Sequence, residues 1–541
     1  MSYYTLESWL AELEHKELCV IWTKLKLDES IGSAKGRPCT SLARDVVEFY
    51  DTETLSHACI RSALLYAFET PAVTLCSQHS SVSRRMKDWP DKLYRAWRRD
   101  SLWAHRFCQA FEIDPIYAGS APLQKPPVLE HIELPRPVNG LLKFQRDLSG
   151  QILKLLLQDP PTRAMASLPT GAGKTRVAIE AIQKFQEVSG GIVLWIATTG
   201  EICEQAASTY KAVYQTEQPN FEGKIHRFWE KYTLHKELDQ GFMVASIQKL
   251  ARLNLKDATV QELFESVSAV VFDEAHHAIA PTYKKVVKAL VGTLKSPTRP
   301  LVGLTATPGR GVTKLGASTK ALARAFGGNL LIPQRFEGKN PVKLLQGEGI
   351  LSRIERKRKN GGHFSLTKEE QKDLEQYATF SNSLLKRVGK SHERNKMIIE
   401  QVTRDPTEQQ SLVFACDVRQ AEALAYQWRS KGITARAITA TTHPALRRQW
   451  IDEFSKGQLR VLVNVGTLTT GFDAPIVRRV IMARPTTSPV LFEQMIGRGL
   501  RGPKFGGTEK CTVVDIVDSF ELFGSPKGFT RFEQDWISGK R

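Results

Sequence analysis

The string LPTGAGKT, residues 168–175, sets a lysine and a threonine directly behind two glycines, a grouping suited to holding phosphate. Backbone N–H groups of Gly171, Ala172, Gly173 and Lys174 can cradle phosphate oxygens at a helix N-terminus, with Thr170 leading into the turn. Lys174 can reach β and γ oxygens, and the Thr175 hydroxyl can ligate Mg²⁺. Leu168 stands where the strict form of this pattern has glycine. A second string, VVFDEAHHA at 270–278, supplies acids. Asp273 can hold Mg²⁺ through water, and Glu274 can take a proton from an attacking water.

A third string, EQMIGRGLRG at 493–502, spaces Gln494, Arg498 and Arg501 by four and three residues. Those offsets put the three side chains on one face of a helix, aimed at a single anionic target. Gly497, Gly499 and Gly502 fall among them. Glycine is a poor helix former, so their density implies that something bulky approaches the backbone there.

These side chains need a scaffold, and the apolar pattern describes one. From about residue 141, the apolar strands AMASL, IVLWIAT, FMVASI, AVVFDEA and LVGLTAT alternate with amphipathic helical stretches. Strands apolar throughout, separated by helices, form a parallel sheet covered on both faces. Ligands bind such sheets at the C-terminal edge, which is where Asp273 falls. A second run of this kind begins at SLVFACD, 411–417. The expected organisation is a helical accessory domain over 1–113, a Pro-rich extended linker over 114–140, an α/β domain over 141–310, a helical and charged connecting region over 311–410, and a second α/β domain over 411–541. The basic run RIERKRK, 353–359, falls in the connecting region and reads as a solvated helix face.

Composition narrows the setting. The net charge is +19. Residues 1–140 hold 17 basic against 18 acidic residues, so the excess belongs to the remaining 59 basic and 39 acidic ones. A basic excess of that size favours a polyanionic partner through phosphate contacts and counterion release. No apolar run reaches membrane-spanning length, and the N-terminus has no basic region followed by an apolar stretch. The eight cysteines lie far apart with no C-x-x-C pair. A reducing, cytoplasmic setting is expected, without a zinc site or disulfide framework.

Taken in order, these strings resemble the DEAH-box branch of superfamily 2 helicases, from about 141 to 520. LLKFQRD, 141–147, resembles the adenine-reading segment, with Gln145 on the base edge and Phe144 nearby. TTGEICEQ (198–205) and ASIQKL (245–250) resemble backbone-contact motifs, which nominates Thr199 and Gln248 as nucleic-acid contacts. Thr198 and Gly200 stand where many relatives have Pro and Arg. LTATPGR (304–310) is similar to the motif linking hydrolysis to domain movement. TTGFDAP (469–475) and QMIGRGLR (494–501) resemble the fifth and sixth motifs.

The resemblance implies two tandem RecA-like parallel-sheet domains behind a helical N-terminal domain. It implies ATP and Mg²⁺ as cofactors, Gly471, Asp473 and Gln494 near the nucleotide, and His276 and Asp473 as couplers. Arg498 and Arg501 become arginine fingers supplied to the γ-phosphate from the second domain. NPVKLLQGEGILSR (340–353), SHERNKMIIEQV (391–402) and the stretch around 483–507 look like the DNA-directed group. That group contains the motor subunits of type I and type III restriction enzymes and nucleotide-excision-repair helicases. The expected function is ATP-dependent movement on DNA, in genome defence, restriction or repair. A nucleic-acid-gated switch that recruits a nuclease through the N-terminal domain is the alternative from another class. RNA stays open as the track, because basic charge recognises phosphate and not sugar.

Overall fold

The computed structural model of the chain describes residues 5–68, 70–72, 75, 97, 101–119, 127–132, 140–217, 221–234, 240–275, 280–306, 317–377, 380–405, 409–440, 442, 444–466, 477–486, 489–497 and 499–520. His276, Gly471, Asp473 and Arg498 lie outside the described residues.

The chain begins with short helices at Leu6–Ala11, His15–Lys24, Asp28–Ile31, Cys39–Tyr50 and Ala58–Ala67, followed by Leu102–Ala110. Leu18, Ile21, Trp22 and Leu25 recur at offsets of three and four and are all buried, which fixes the inward face of the second helix. The Thr5 hydroxyl caps the first helix by accepting from Ser8 N, and Ser101 does the same for Ala104 N. Trp22 drops its indole N–H onto the Gly32 carbonyl at 3.0 Å, satisfying the polar tip of a fully buried ring.

Two parallel-sheet units follow. The first sheet comprises β1 (Leu129–His131), β2 (Arg163–Ser167), β3 (Ile192–Ala197), β4 (Lys224–Phe228), β5 (Gly241–Ser246), β6 (Val267–Phe272), β7 (Leu301–Thr305) and β8 (Leu330–Leu331). Its strand order is β1-β4-β5-β3-β6-β7-β2-β8. Only the β1–β4 pair is antiparallel among these. All six residues of β3 are buried. Val193 and Trp195 face one core layer with Val177, Ile182 and Tyr210, while Leu194 and Ile196 face another with Leu263 and Phe264.

The second sheet comprises β9 (Arg353–Phe364), β10 (Ser411–Phe414), β11 (Ala435–Ile438), β12 (Val461–Asn464), β13 (Arg479–Met482) and β14 (Lys510–Phe520). They are ordered β11-β12-β10-β13-β14-β9, all in parallel. Helices cover this sheet on both faces as well. No helix among the described residues is long and apolar enough to cross a membrane.

Three details differ from the sequence reading. The basic run 353–359 lies in strand β9, paired residue for residue with β14. Its period is two: Ile354 packs against the core and Arg356 pairs with Asp515, while Arg353, Glu355 and Lys357 stay exposed. A run with one apolar residue hides that alternation. The segment between the two α/β runs is correspondingly less helical than expected, since it lends β8 to one sheet and β9 to the other. Within the Pro-rich segment, Leu129–His131 forms an edge strand by pairing with Lys224–His226.

The N-terminal helices sit on the second unit, against the helix Val418–Arg429. Tyr426 donates its hydroxyl to Asp45 at 2.8 Å, and Arg429 donates to the carbonyls of Glu48 and Phe49. Arg419 donates to the carbonyls of Leu25 and Lys26, both at 2.8 Å, and Arg436 pairs with Asp51 at 2.6 Å.

Candidate nucleotide site at the seam of two sheets

The phosphate-loop string spans the turn from β2 into the helix Lys174–Ser189. Gly171 and Gly173 take φ of +83° and +86°, a left-handed backbone that side chains disfavour and that turns successive N–H groups inward. Gln145 braces this loop. Its carbonyl accepts Leu142 N at 2.9 Å and its amide donates to the Ala172 carbonyl at 2.9 Å. A Cβ on Gly173 would lie 2.6 Å from the Gln145 amide nitrogen, so that glycine is needed for the approach. Phe144 is 1% exposed and packs 5.5 Å from the Phe336 ring. It supports Gln145 from the core and offers no face to the cleft.

Asp273 and Glu274 follow β6 directly. The Lys174 ammonium lies 3.6 Å from Asp273 Oδ1 and 3.4 Å from Glu274 Oε1. Asp273 Oδ1 also accepts the Glu274 N–H at 2.9 Å. Burial pushes the Asp273 carboxyl above its ordinary pKa, while Lys174 pulls it back toward the charged form. Glu274 holds φ of +50°, an uncommon conformation for a non-glycine residue and one that clusters at functional sites. Lys174, Asp273 and Glu274 are thus gathered from sequence positions a hundred residues apart.

The second unit closes on this loop. The helix Pro489–Gly497 ends beside it: a Cβ on Gly497 would lie 2.7 Å from Thr170 Cβ. Leu351 Cδ2 and Leu500 Cβ lie 3.3 and 3.8 Å from where a Gly171 Cβ would stand. Ala172 is fully buried in the core that both sheets share. Glu201, in the helix Gly200–Glu217, ion-pairs with Arg447 of the helix Pro444–Ser455, so the two units are also tied by charge.

Gln494 lies on the helix, but Arg501 lies beyond its end, against the expectation of one helical face. The chain turns at Gly499, and Arg501 forms an antiparallel bridge with Leu351. Its carbonyl accepts Ser352 Oγ at 2.5 Å and Thr508 N at 2.9 Å. Gln494 is 9% exposed, and its Nε2 is buried without a hydrogen-bond partner among the described residues, a costly state for a donor unless a ligand meets it.

Away from the cleft, Gln248 donates to the Thr198 carbonyl at 2.8 Å, joining the ends of β3 and β5. The neighbouring Thr199 starts the helix Gly200–Glu217, its carbonyl accepting Cys203 N at 3.1 Å. Two sequence features gave no advance sign of their role. Ser352 sits between Arg501 and Thr508 through its hydroxyl, and Leu351 presses on the phosphate loop. Both look like ordinary loop residues in sequence.

Residues 140–310 match the family model described as the res subunit of type III restriction enzymes, and residues 393–502 match the conserved C-terminal domain of helicases. The chain is 28% identical over 390 residues to the provisionally named ATP-dependent helicase IRC3 of Saccharomyces cerevisiae, which covers 70% of this chain and 51% of that protein. It is 35% identical over 109 residues to the provisionally named mitochondrial ATP-dependent helicase irc3 of Schizosaccharomyces pombe, 20% of this chain and 18% of that one. The solved type ISP restriction-modification enzyme LlaBIII, bound to DNA, aligns over 74% of this chain and 29% of its own at 15% identity, with a TM-score of 0.49. The chain spans about half the length of the budding-yeast relative and less of the fission-yeast one. Both paired helicase domains are thus matched in order along the chain, the first at 140–310 and the second at 393–502.

Proposed function

We propose that the chain hydrolyses ATP at the seam of its two sheets and uses the resulting closure to move along DNA, as a helicase or translocase of the DEAH type. The observation that carries this reading is the contact of the phosphate loop with the end of the opposing helix, Thr170 against Gly497. Neither sheet alone holds a complete site, so turnover requires the two to meet.

The residues fit ATP and Mg²⁺. The N–H groups around Gly171 to Lys174 receive phosphate oxygens, and the buried Gln494 Nε2, without a hydrogen-bond partner among the described residues, offers a donor from the second unit. Thr175 and Asp273 are hard oxygen donors suited to Mg²⁺, which when bound neutralises charge on the β- and γ-phosphate oxygens. Lys174 leaves the two carboxylates for the phosphates as these arrive. Glu274, released from that pairing, accepts the proton of the attacking water. Arg501, with Arg498, supplies guanidinium charge from the far side. Closure and reopening then bias a strand held by both units, a population shift driven by differential binding of substrate and products.

ATP turnover with single-stranded DNA, double-stranded DNA, branched DNA and RNA tests the reading. DNA stimulates turnover on this account, and turnover indifferent to every nucleic acid contradicts it. A second reading draws on the seat of the N-terminal helices on the second unit through Tyr426 and Arg429. There, nucleotide-driven motion would present those helices to an effector nuclease, with ATP turnover as a switch in genome defence or restriction. Strand displacement supports the first reading, while stable capture of a nuclease without displacement supports the second.

A further inference from the structure

The segment that carries the chain into the second sheet, residues 349–352, lies between the helix Pro341–Gly347 and β9. It is pinned at its start, where Ile350 N and Leu351 N donate to the Leu345 carbonyl at 2.9 and 3.1 Å. At its end Gln346 Nε2 donates to the Ser352 carbonyl at 2.9 Å, and the next residue, Arg353, donates its N–H to the Glu509 carbonyl at 2.8 Å. Ile350, Leu351 and Ser352 are all buried. A short segment held at both ends in this way has little freedom of its own.

The same residues run antiparallel to the chain just past the helix Pro489–Gly497. Ser352 N donates to the Leu500 carbonyl at 2.8 Å, Gly502 N to the Ile350 carbonyl at 3.0 Å and Lys504 N to the Gly349 carbonyl at 3.1 Å. The first two of these bonds bracket Leu351 opposite Arg501. A Cβ on Gly502 would lie 2.4 Å from the Gly349 oxygen, so the approach needs glycine there. The Ser352 hydroxyl lies between the Arg501 carbonyl at 2.5 Å and the Thr508 carbonyl at 2.6 Å, and its one proton serves either.

Residues directly opposite each other in an antiparallel bridge send their side chains to the same face. Leu351 places its side chain on the phosphate loop, with Cδ2 3.3 Å from where a Gly171 Cβ would stand. Arg501 therefore leaves the bridge on the phosphate-loop side, although the helix that carries Gln494 has already ended. The connecting segment, and not the helix, sets its position.

We propose that residues 349–352 are the template that positions Arg501 against the nucleotide, Ser352 by fixing its carbonyl and Leu351 by registering the bridge on the phosphate loop. The proposal rests on the reading of Arg501 as a source of charge for the transferring phosphoryl group, and it makes Ser352 and Leu351 positioning residues for that reaction.

The test is single-turnover ATP hydrolysis by the full chain with single-stranded DNA, run as a double-mutant cycle. Ser352→Ala removes the hydroxyl, and Leu351→Val withdraws the methyl that meets Gly171. Each should slow the chemical step by about ten- to a hundredfold, as a misplacement on the order of 1 Å does, while affinity for a fluorescent ATP analogue holds. In an Arg501→Ala background neither change should cost anything further, because groups that act as a unit are not additive. A residue that merely supports the fold would lower the rate by the same factor in both backgrounds. Calorimetric melts show which variants are folded at the assay temperature, and the two substitutions act through different contacts.

Wild-type rates in Ser352→Ala and Leu351→Val, beside a slow Arg501→Ala, would overturn the template and leave the role of Arg501 standing. Equal fractional losses in the two backgrounds would overturn it too. A wild-type rate in Arg501→Ala would remove the role of Arg501 and the template with it.

Discussion

Gly497, the last residue of its helix, packs so closely on Thr170 of the phosphate loop that a Cβ there would lie 2.7 Å from the Thr170 Cβ. Gly497→Ala should therefore hold the two units apart. Alanine favours a helix over glycine by about 1 kcal/mol, so stability should not fall much. Steady-state turnover should drop at least about tenfold, equivalent to about 1.4 kcal/mol of transition-state stabilisation. A calorimetric melt beside the turnover assay separates this outcome from simple unfolding.

Glu274→Gln keeps the shape of the site and removes the proton acceptor. It should bind ATP, followed with a fluorescent analogue, while turnover falls by about 10² to 10⁴. Loss of the Glu274 charge also removes one of the carboxylates that hold Lys174, so nucleotide affinity should not weaken.

The ion pair of Arg394 with Asp518 has no solvent exposure on either side chain. Arg394 donates through Nε to Oδ1 at 2.8 Å and through Nη2 to Oδ2 at 2.9 Å. Arg394→Ala strands a buried carboxylate and should destabilise the chain by about 3 to 5 kcal/mol. The double change Arg394→Met with Asp518→Leu should recover most of that loss, as read from urea unfolding midpoints.

Glu422 sits where the N-terminal helices meet the helix Val418–Arg429, and burial raises its pKa to about 7 against the pull of Arg419. A carboxyl with a raised folded pKa binds its proton more tightly in the folded state. Its contribution is complete below the unfolded value near 4.5 and is lost as pH rises through about 7. Glu422→Gln should therefore raise the melting temperature at pH 8, by a stability increment of about 3 kcal/mol at most, and change little at pH 5. His57, which lines a cavity together with Glu422 between the N-terminal helices and the helix Val418–Arg429, is lowered to about 4 by burial. It acts in the opposite sense, with stability falling as the solution is acidified from its unfolded value toward about 4.

Much of the α/β architecture was legible because fully buried parallel strands are apolar throughout: IVLWIA and FMVAS read directly as β3 and β5. The turn at 168–173 and the Asp273–Glu274 turn were equally readable as turns at strand ends, since such a turn needs particular residues at fixed spacing. Strand β9 was not, because an edge strand buries few residues and its charges mask a period of two. The position of Arg501 was missed for a related reason. Offsets of three and four assume that a helix continues, and Gly497 and Gly499 end it. Gln145 could be nominated from its motif, but its bond to the Ala172 carbonyl is a tertiary contact that no local pattern encodes.

The central claim, that one nucleotide is completed by groups from both sheets, is tested most directly by ATP turnover of Arg501→Ala beside the wild-type chain, with single-stranded DNA present. The account predicts that the variant still binds nucleotide but turns it over about 10³-fold or more slowly, as expected when a guanidinium is withdrawn from the transferring phosphoryl group. Turnover equal to wild type would contradict it.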